Sequence, residues 1–140
     1  MFAVLDTNHY VELIDGSPLS LNLSRRVSEA QVDVFTSIIT VQEITQGWLA
    51  EINRHRVGHL QLPAYWQFQH NIAAFCKITI LPFDEDAAKA FGDLQQQRIR
   101  IGTMDLKIAA ICLAHDATLL TRNLVDFEKV PGLRAENWLD

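Results

Sequence analysis

Hydrophobic residues fall along this chain in short unbroken runs, and longer stretches with helical spacing lie between those runs. The runs are rich in aliphatic and β-branched residues without polar alternation, which indicates strands that are buried on both faces of a sheet. The predicted strands are residues 2–5, 32–39, 78–81, 118–121 and 134–135. The intervening stretches predict helices over residues 8–14, 19–30, 40–56, 65–75, 84–97 and 104–115.

The order of these elements predicts the fold class. Strands that alternate with helices form β-α-β units, and their crossover helices cover both faces of a parallel sheet. We therefore expect a three-layer α/β/α sandwich around a central parallel sheet of four to five short strands. No repeat, linker or low-complexity tract divides the 140 residues, so we expect a single domain over residues 1–140.

Composition and charge narrow the class of protein. Twelve Lys and Arg residues against seventeen Asp and Glu give a net charge of −5 without a basic patch, so binding of a nucleic acid would need a cation. Cys76 and Cys112 are too few for a disulfide framework and are expected to be buried, reduced thiols. The sequence starts without a basic signal-peptide region, and polar residues and Pro63 interrupt the uncharged stretch 57–76. We therefore expect a cytoplasmic protein without a membrane span.

Three further features of the sequence bear on cofactors, metals and partners. Neither G-x-G-x-x-G nor G-x-x-x-x-G-K-[ST] occurs, so no nucleotide cofactor is expected. His55 and His59 have the i,i+4 spacing of metal ligands, but no Glu lies between them, and a surface histidine pair is the better interpretation. Large apolar residues cluster between Trp48 and Trp66. Most of them are expected in the core, and a surplus would form a groove for a partner segment or a homodimer face.

Four acidic residues fall where a parallel sheet would bring them together. Asp6 follows the first predicted strand, Glu43 and Asp105 lie in the first turns of predicted helices, and Asp126 follows the fourth strand. The carboxyl ends of parallel strands and the amino ends of crossover helices share one edge, where open α/β sheets bind ligands. Singly, each acid is explained as a cap or turn residue, and Glu43 matches a capping box with Thr40. Together, crowded carboxylates require a positive charge between them, and all-oxygen ligands suit Mg²⁺ or Mn²⁺.

Motifs along nearly the whole chain resemble one family. They are Leu5-Asp6-Thr7-Asn8, Ser37-x-Ile39-Thr40-x-x-Glu43 with Gly47, Gly102-x-x-Asp105-x-x-Ile108-Ala109-Ala110, Thr121-Arg122-Asn123-x-x-Asp126-Phe127, Val130-Pro131-Gly132-Leu133 and Trp138. On these residues the chain resembles the PIN-domain ribonucleases and, within them, the toxins of VapBC-type toxin–antitoxin pairs. The resemblance implies a PIN fold and a Mg²⁺-dependent ribonuclease that cuts RNA with a metal-activated water. It also implies a VapB-like antitoxin as partner.

The resemblance assigns roles by position. Asp6 and Asp105 match the principal Mg²⁺ ligands of the family, and Glu43 matches its third acid. The fourth acid of many members falls at Asn123, which lacks the charge, and Asp126, three residues on, is the other candidate for that position. Asp126 is therefore expected as the fourth catalytic and metal-site acid, beside the first metal ion or at a second one, and Asn123 as a polar neighbour. Two further residues are expected as polar neighbours of the same rim, namely Ser37 and Thr121.

Several alternatives stay open at this level. Basic residues near the predicted edge are candidates for contacts with flanking phosphates, namely Arg98, Arg100, Lys107 and Arg122. The sequence leaves open whether the site holds one or two metal ions. A non-catalytic PIN-fold interaction module, or a PIN nuclease in RNA processing without an antitoxin, would carry the same motifs.

Overall fold

Five short strands form one parallel sheet at the centre of the protein. The computed structural model describes residues 2–16 and 18–140. The strands are β1 (Phe2–Leu5), β2 (Asp33–Ser37), β3 (Thr79–Leu81), β4 (Thr118–Leu120) and β5 (Arg134–Glu136). They lie in the order β3-β2-β1-β4-β5, and every neighbouring pair is parallel. The central position of β1 places the residue that follows it in the middle of the carboxyl edge.

In residues 2–16 and 18–140, seven helices cover the two faces of this sheet. They are α1 (Thr7–Asp15), α2 (Pro18–Ala30), α3 (Ile38–Asn53), α4 (Gly58–Phe75), α5 (Glu85–Gln96), α6 (Thr103–Ala114) and α7 (Leu124–Phe127). Val4 and Leu119 belong to a buried cluster with residues of α5 and α6, whereas Leu5 and Leu120 belong to a second cluster with residues of α1 and α4. Because successive strand residues point to opposite faces, the sheet is buried on both sides. The predicted three-layer fold class is confirmed.

The start of α3 differs from the prediction. The sequence predicted a capping box from Thr40 to Glu43, but Ser37 is the cap, and its Oγ accepts a hydrogen bond from the Thr40 N–H at 3.2 Å. The chain turns directly from β2 into the helix, so the helix begins at Ile38 rather than Thr40. Glu43 therefore lies beyond the first turn, and its carboxylate is free for contacts outside its own helix.

The α3–α4 connection also differs. Helix α3 ends at Asn53 and α4 begins at Gly58, so His55 and His59 do not share a helix and lack the metal-ligand geometry that their spacing suggested. Helix α4 starts before Pro63 and includes it, although the prediction began the helix after this proline. The Gln61 side chain donates to the carbonyl oxygens of Ile52 and His55 and ties the connection together.

The burial of the large apolar residues of α3 and α4 differs from the prediction. Of the large apolar residues expected mostly in the core, Ile52 is buried and Trp48 is half-buried. The exposed members are Leu49, Leu60, Leu62, Tyr65 and Trp66. Cys112 is buried as predicted, but Cys76 is exposed, so the prediction of two buried thiols is wrong for Cys76. Across residues 2–16 and 18–140, no helix is both long and apolar enough to cross a membrane.

Candidate active site

Asp6 occupies the centre of the carboxyl edge and is held on three sides. Its backbone N–H donates to the Leu120 carbonyl oxygen at 2.9 Å, which continues the pairing of β1 with β4. Its carboxylate accepts from the Thr7 N–H at Oδ1 and from the Thr121 hydroxyl at Oδ2, both at 2.8 Å. Asp6 is 8% exposed, and burial raises the pKa of its carboxyl group against these two hydrogen bonds. Asp6 is thus the buried, oriented acid of the site.

Glu43 reaches the same place from α3. Its Oε2 accepts a long hydrogen bond of 3.4 Å from the Thr7 hydroxyl, while its Oε1 is buried without a hydrogen-bond partner among the described residues. Burial raises the pKa of Glu43, and the charges of Asp6 and Asp105 raise it further. Thr7 therefore links two acids, with its N–H on Asp6 and its hydroxyl on Glu43. The sequence analysis included Thr7 in the Leu5-Asp6-Thr7-Asn8 motif without assigning it a role, and its position beside Asp6 was the available signal.

Asp105 completes a group that we call the acid triad: Asp6, Glu43 and Asp105. It lies in the first turn of α6 and is half-buried. Burial raises the pKa of Asp105, followed by the negative charges of Asp6 and Asp126, and a hydrogen bond from the Asn123 side chain opposes this rise. The charge of Asp6 thus raises the pKa of both Glu43 and Asp105, and the charge of Asp105 raises that of Glu43, so three acids lie close together in a partly desolvated setting.

Asn123 and Asp126 lie beside the triad, Asn123 as the N-cap of the short helix α7 and Asp126 within it, where the sequence predicted no helix. The Asn123 Nδ2 donates to Asp126 Oδ2 at 2.9 Å. The Lys129 Nζ donates to Asp126 Oδ1 at 3.3 Å, and these two contacts hold the pKa of Asp126 below its usual value. The sequence analysis did not single out Lys129. Its i,i+3 spacing from Asp126 was the only available signal.

The other two predicted polar neighbours, Thr121 and Ser37, have different roles. The Thr121 hydroxyl oxygen accepts from the Asn123 N–H at 3.0 Å, so its own hydrogen is committed to Asp6. Thr121 therefore joins the centre of the site to α7. Ser37 is fully buried, and its hydroxyl caps α3 rather than contacting an acid.

The donor set fits a hard divalent cation. The pKa values of all three carboxyl groups are raised, those of Glu43 and Asp105 partly by neighbouring acids, and Oε1 of Glu43 is buried without a partner among the described residues. A cation with oxygen ligands would relieve both conditions. In the described part of the chain, no three His, Cys, Asp or Glu side chains already stand as a complete ligand set. Binding of an ion therefore requires these side chains to turn toward it.

The basic residues predicted to contact phosphates have varied surroundings. Lys107 places its ammonium group 5.8 Å from the ring centre of Phe83 and 5.6 Å from that of Phe91, which joins α5 to α6. Arg122 forms an ion pair with Asp140 at 3.2 Å. Two further arginines, Arg98 and Arg100, are exposed in the α5–α6 loop.

A separate apolar groove lies between α1, α3 and α4. Its volume is about 640 Å³, and its apolar lining includes Val11, Ile14, Ile44, Trp48, Pro63 and Ala64. Asp15 and Glu51 also line it and provide negative charge. Ile44 follows Glu43 directly in α3, so the groove and the acid triad share one helix.

Comparison with known proteins places this fold and site in a class. A family model described as PIN domain matches residues 3–133, so the sheet and its acidic edge are those of a PIN domain. Ribonuclease VapC2 from Haemophilus influenzae is 33% identical over 144 residues, with 97% of each chain covered. Ribonuclease VapC2 from Rickettsia felis is 26% identical over 142 residues, which cover 99% of this chain and 98% of that one.

Solved structures agree with this assignment. A chain of VapBC2 from Rickettsia felis, bound to a promoter DNA fragment, matches with a TM-score of 0.70 at 24% identity over 99% of both chains. A chain of a toxin–antitoxin complex from Klebsiella pneumoniae matches with a TM-score of 0.65 at 26% identity over 94% of both chains. The protein belongs to the PIN-domain family, in the branch of the VapC ribonucleases, and the predicted resemblance is confirmed.

Proposed function

We propose that this protein is a divalent-metal-dependent endoribonuclease and the toxin of a toxin–antitoxin pair. The observation that carries the proposal is the acid triad at the carboxyl edge of a PIN-domain sheet. Relatives over nearly the full length are named ribonucleases. One of them, 27% identical over 143 residues, is the tRNA(fMet)-specific endonuclease VapC of Shigella flexneri. Because the proposed substrate is RNA, we expect the protein to act in the cytoplasm.

The acid triad is proposed to hold Mg²⁺, with Mn²⁺ as a substitute. A metal ion held by these three carboxylates would supply an activated water and charge neutralisation at the scissile phosphate. Thr7 and Thr121 fix the carboxylate of Asp6 toward the site. Glu43 has an unpartnered Oε1 and a raised pKa, which suits it to accept the proton of an attacking water.

Cationic side chains beside the triad are proposed to receive the RNA backbone. Arg100 lies close to the site, because Lys129 donates both to the Arg100 carbonyl oxygen at 3.2 Å and to Asp126. Arg98 and Arg100 are exposed in this loop and lie where flanking phosphates would pass. Together with a bound metal, they would offset the negative charge of the rim.

The groove between α1, α3 and α4 is the proposed seat of the antitoxin. Its apolar lining and its two acids fit a segment with one apolar face and basic flanks. Structural neighbours of this chain come from toxin–antitoxin complexes. A segment in this groove would lie against Ile44, one residue from Glu43, and could extend over the acid triad to block RNA.

Cleavage of an end-labelled RNA by the purified protein tests the catalytic proposal. We expect cleavage with Mg²⁺ or Mn²⁺, none with EDTA, and none by the Asp6→Asn, Asp105→Asn variant at equal concentration. Growth arrest on expression of the wild-type chain, relieved by a co-expressed small antitoxin, tests the toxin proposal. Metal-dependent cleavage without growth arrest would favour an RNA-processing nuclease, and folded protein without cleavage would favour an interaction module.

A further inference from the structure

Asp126 differs from the acid triad because both of its carboxylate oxygens have donors on its own segment. Oδ2 accepts from the Asn123 Nδ2 at 2.9 Å, and Oδ1 accepts from the Lys129 Nζ at 3.3 Å. The Lys129 ammonium group is fixed in turn by the Arg100 carbonyl oxygen at 3.2 Å. The negative charge of Asp126 therefore has a cation beside it within the protein.

The acid triad has no such neutralisation. In the described part of the chain, no ion pair involves Asp6, Glu43 or Asp105. Their hydrogen-bond donors are uncharged: the backbone N–H and hydroxyl of Thr7, the hydroxyl of Thr121 and the amide of Asn123. Of the four acids, the three of the acid triad therefore lack a cation among the described residues, whereas Asp126 has one.

Asn123 lies between the neutralised Asp126 and the acid triad, and its amide faces two carboxylates at once. It donates to Asp126 and also forms a side-chain hydrogen bond with Asp105. An amide joins the two acids without adding charge. An aspartate at this position would remove the donor and add a negative charge between Asp105 and Asp126, a setting that requires a cation.

We propose that the acid triad binds a single divalent ion, and that Asn123 and Lys129 hold Asp126 outside the ligands of that ion. The inference rests on the proposed metal-dependent function and assigns its stoichiometry. Asn123 and Lys129 are positioning residues, and the Lys129 ammonium group supplies the second positive charge of the site. Asp126 then influences the metal site through its hydrogen bonds with Asn123 and Lys129.

Calorimetric titration of the metal-free protein with Mn²⁺ tests the inference without reference to cleavage. For the wild-type chain we expect one ion per protein. Asp126→Asn should change the affinity by no more than about threefold, because an exposed pair with lysine contributes little to the triad. Asp105→Asn should weaken it by at least about tenfold, because an amide is a poor ligand for a hard cation. The thermal transition of each variant reports whether it is folded.

A double variant tests whether Asn123 and Lys129 keep Asp126 from binding a metal ion. In Asn123→Asp, Lys129→Met the built-in cation is gone and a fifth acid is present, so we expect a second Mn²⁺ to bind. The metal-free double variant should have a lower melting temperature than wild type, and Mn²⁺ should restore it by mass action. Lys89→Met, on the exposed surface of α5, is the matched control and should keep one ion.

The outcomes separate this inference from the proposed function. If Asp126→Asn weakens Mn²⁺ binding as much as Asp105→Asn, or if wild type binds two ions, the single-ion assignment is wrong while the metal-dependent function stands. A double variant that still binds one ion also overturns it. Absence of Mn²⁺ binding by folded wild type would overturn both proposals.

Discussion

The hydroxyl of Thr121 donates to Asp6 Oδ2 at 2.8 Å, although 115 residues separate the two in sequence. The contact exists because β1 and β4 are neighbours in the sheet and end at the same edge. It also fixes the direction of the hydroxyl hydrogen, since the Thr121 oxygen already accepts from the Asn123 N–H. One side chain therefore sets the orientation of the most buried acid of the site.

Removal of this hydroxyl should affect both folding and metal binding. Thr121→Val keeps the shape but leaves the Asp6 oxygen and the Asn123 N–H without their partner, at a cost of about 1–3 kcal/mol in unfolding free energy. Thr121→Ser retains the donor and should lie much closer to wild type in urea unfolding. Mn²⁺ affinity should fall in the valine variant and persist in the serine variant. Equal behaviour of the two variants would mean that the hydroxyl has no positioning role.

Substitution of Asp6 and Asp105 by asparagine separates a metal role from a capping role. Asparagine caps helices about as well as aspartate, so a pure cap would change stability by at most a few tenths of a kcal/mol. If the acids are ligands, the metal-free variants should be as stable as wild type or more stable, because a like-charge repulsion is relieved. The melting temperature should then no longer respond to Mg²⁺, and RNA cleavage should fall by orders of magnitude. Cleavage by the double variant at the wild-type rate would remove both acids from the mechanism.

His9 should give the protein a pH-dependent loss of stability in mild acid. Nε2 of its buried ring accepts a hydrogen bond from the backbone N–H of Trp138, and burial, aided by the charge of Arg122, lowers the pKa of His9 from 6.5 to about 4. The unfolded chain takes up the proton first, so this contribution is complete above pH 6.5 and is lost as the pH falls through 4.

Urea unfolding of wild type and His9→Gln between pH 7 and pH 4 measures this contribution. The wild type should lose up to about 3 kcal/mol more than the variant over this window. The comparison between variants is needed because the acid triad titrates with the opposite sign. Its pKa values are raised, so its contribution is present at low pH and lost as the pH rises. His59→Gln, at an exposed position, should follow the wild-type curve, and a His9→Gln curve parallel to wild type would contradict the assignment.

Replacement of Tyr10 by phenylalanine should make the protein more stable. Its ring stacks on Phe75 with centroids 5.1 Å apart, but its buried hydroxyl finds no hydrogen-bond partner in residues 2–16 and 18–140, and burial raises the pKa of Tyr10 to about 12. Tyr10→Phe keeps the stacking and removes a desolvated polar group, so the unfolding free energy should rise by about 1 kcal/mol. Tyr65→Phe, on the exposed face of α4, should leave it unchanged. A less stable Tyr10→Phe variant would show that the hydroxyl has a partner in solution.

The sequence predicted the parts of the fold that depend on continuous local patterns. Strand β1 was predicted with its observed limits because an unbroken apolar run ends at Asp6. The start of α3 was wrong because Ser37 and Thr40 are both good caps, and only the path of β2 into the helix decides between them. Helix α7 has four residues, too few for a helical period to show. The exposure of Trp66 could not be predicted, because exposed apolar residues and core residues have the same pattern in a sequence.

The candidate site was predictable to the extent that it follows from topology. The rule that parallel strands end at one edge brought the acid triad together from three separate motifs, and it does not depend on side-chain detail. The supporting contacts of Thr7 and Lys129 were missed because they depend on rotamers and on hydrogen bonds across elements. The sequence also left open whether Asn123 or Asp126 completes the site, because that choice depends on which side chain Lys129 reaches.

The central place of β1 in the sheet has a consequence for the timing of synthesis. Asp6 and Glu43 leave the ribosome early, but Asp105 and Thr121 come from the later part of the chain, and β4 must pair with β1 before Thr121 can meet Asp6. A nascent chain that carries only the first two acids has no oriented triad. A ribonuclease built in this order would stay inert toward the RNA of its own translating ribosome until its fourth strand has docked.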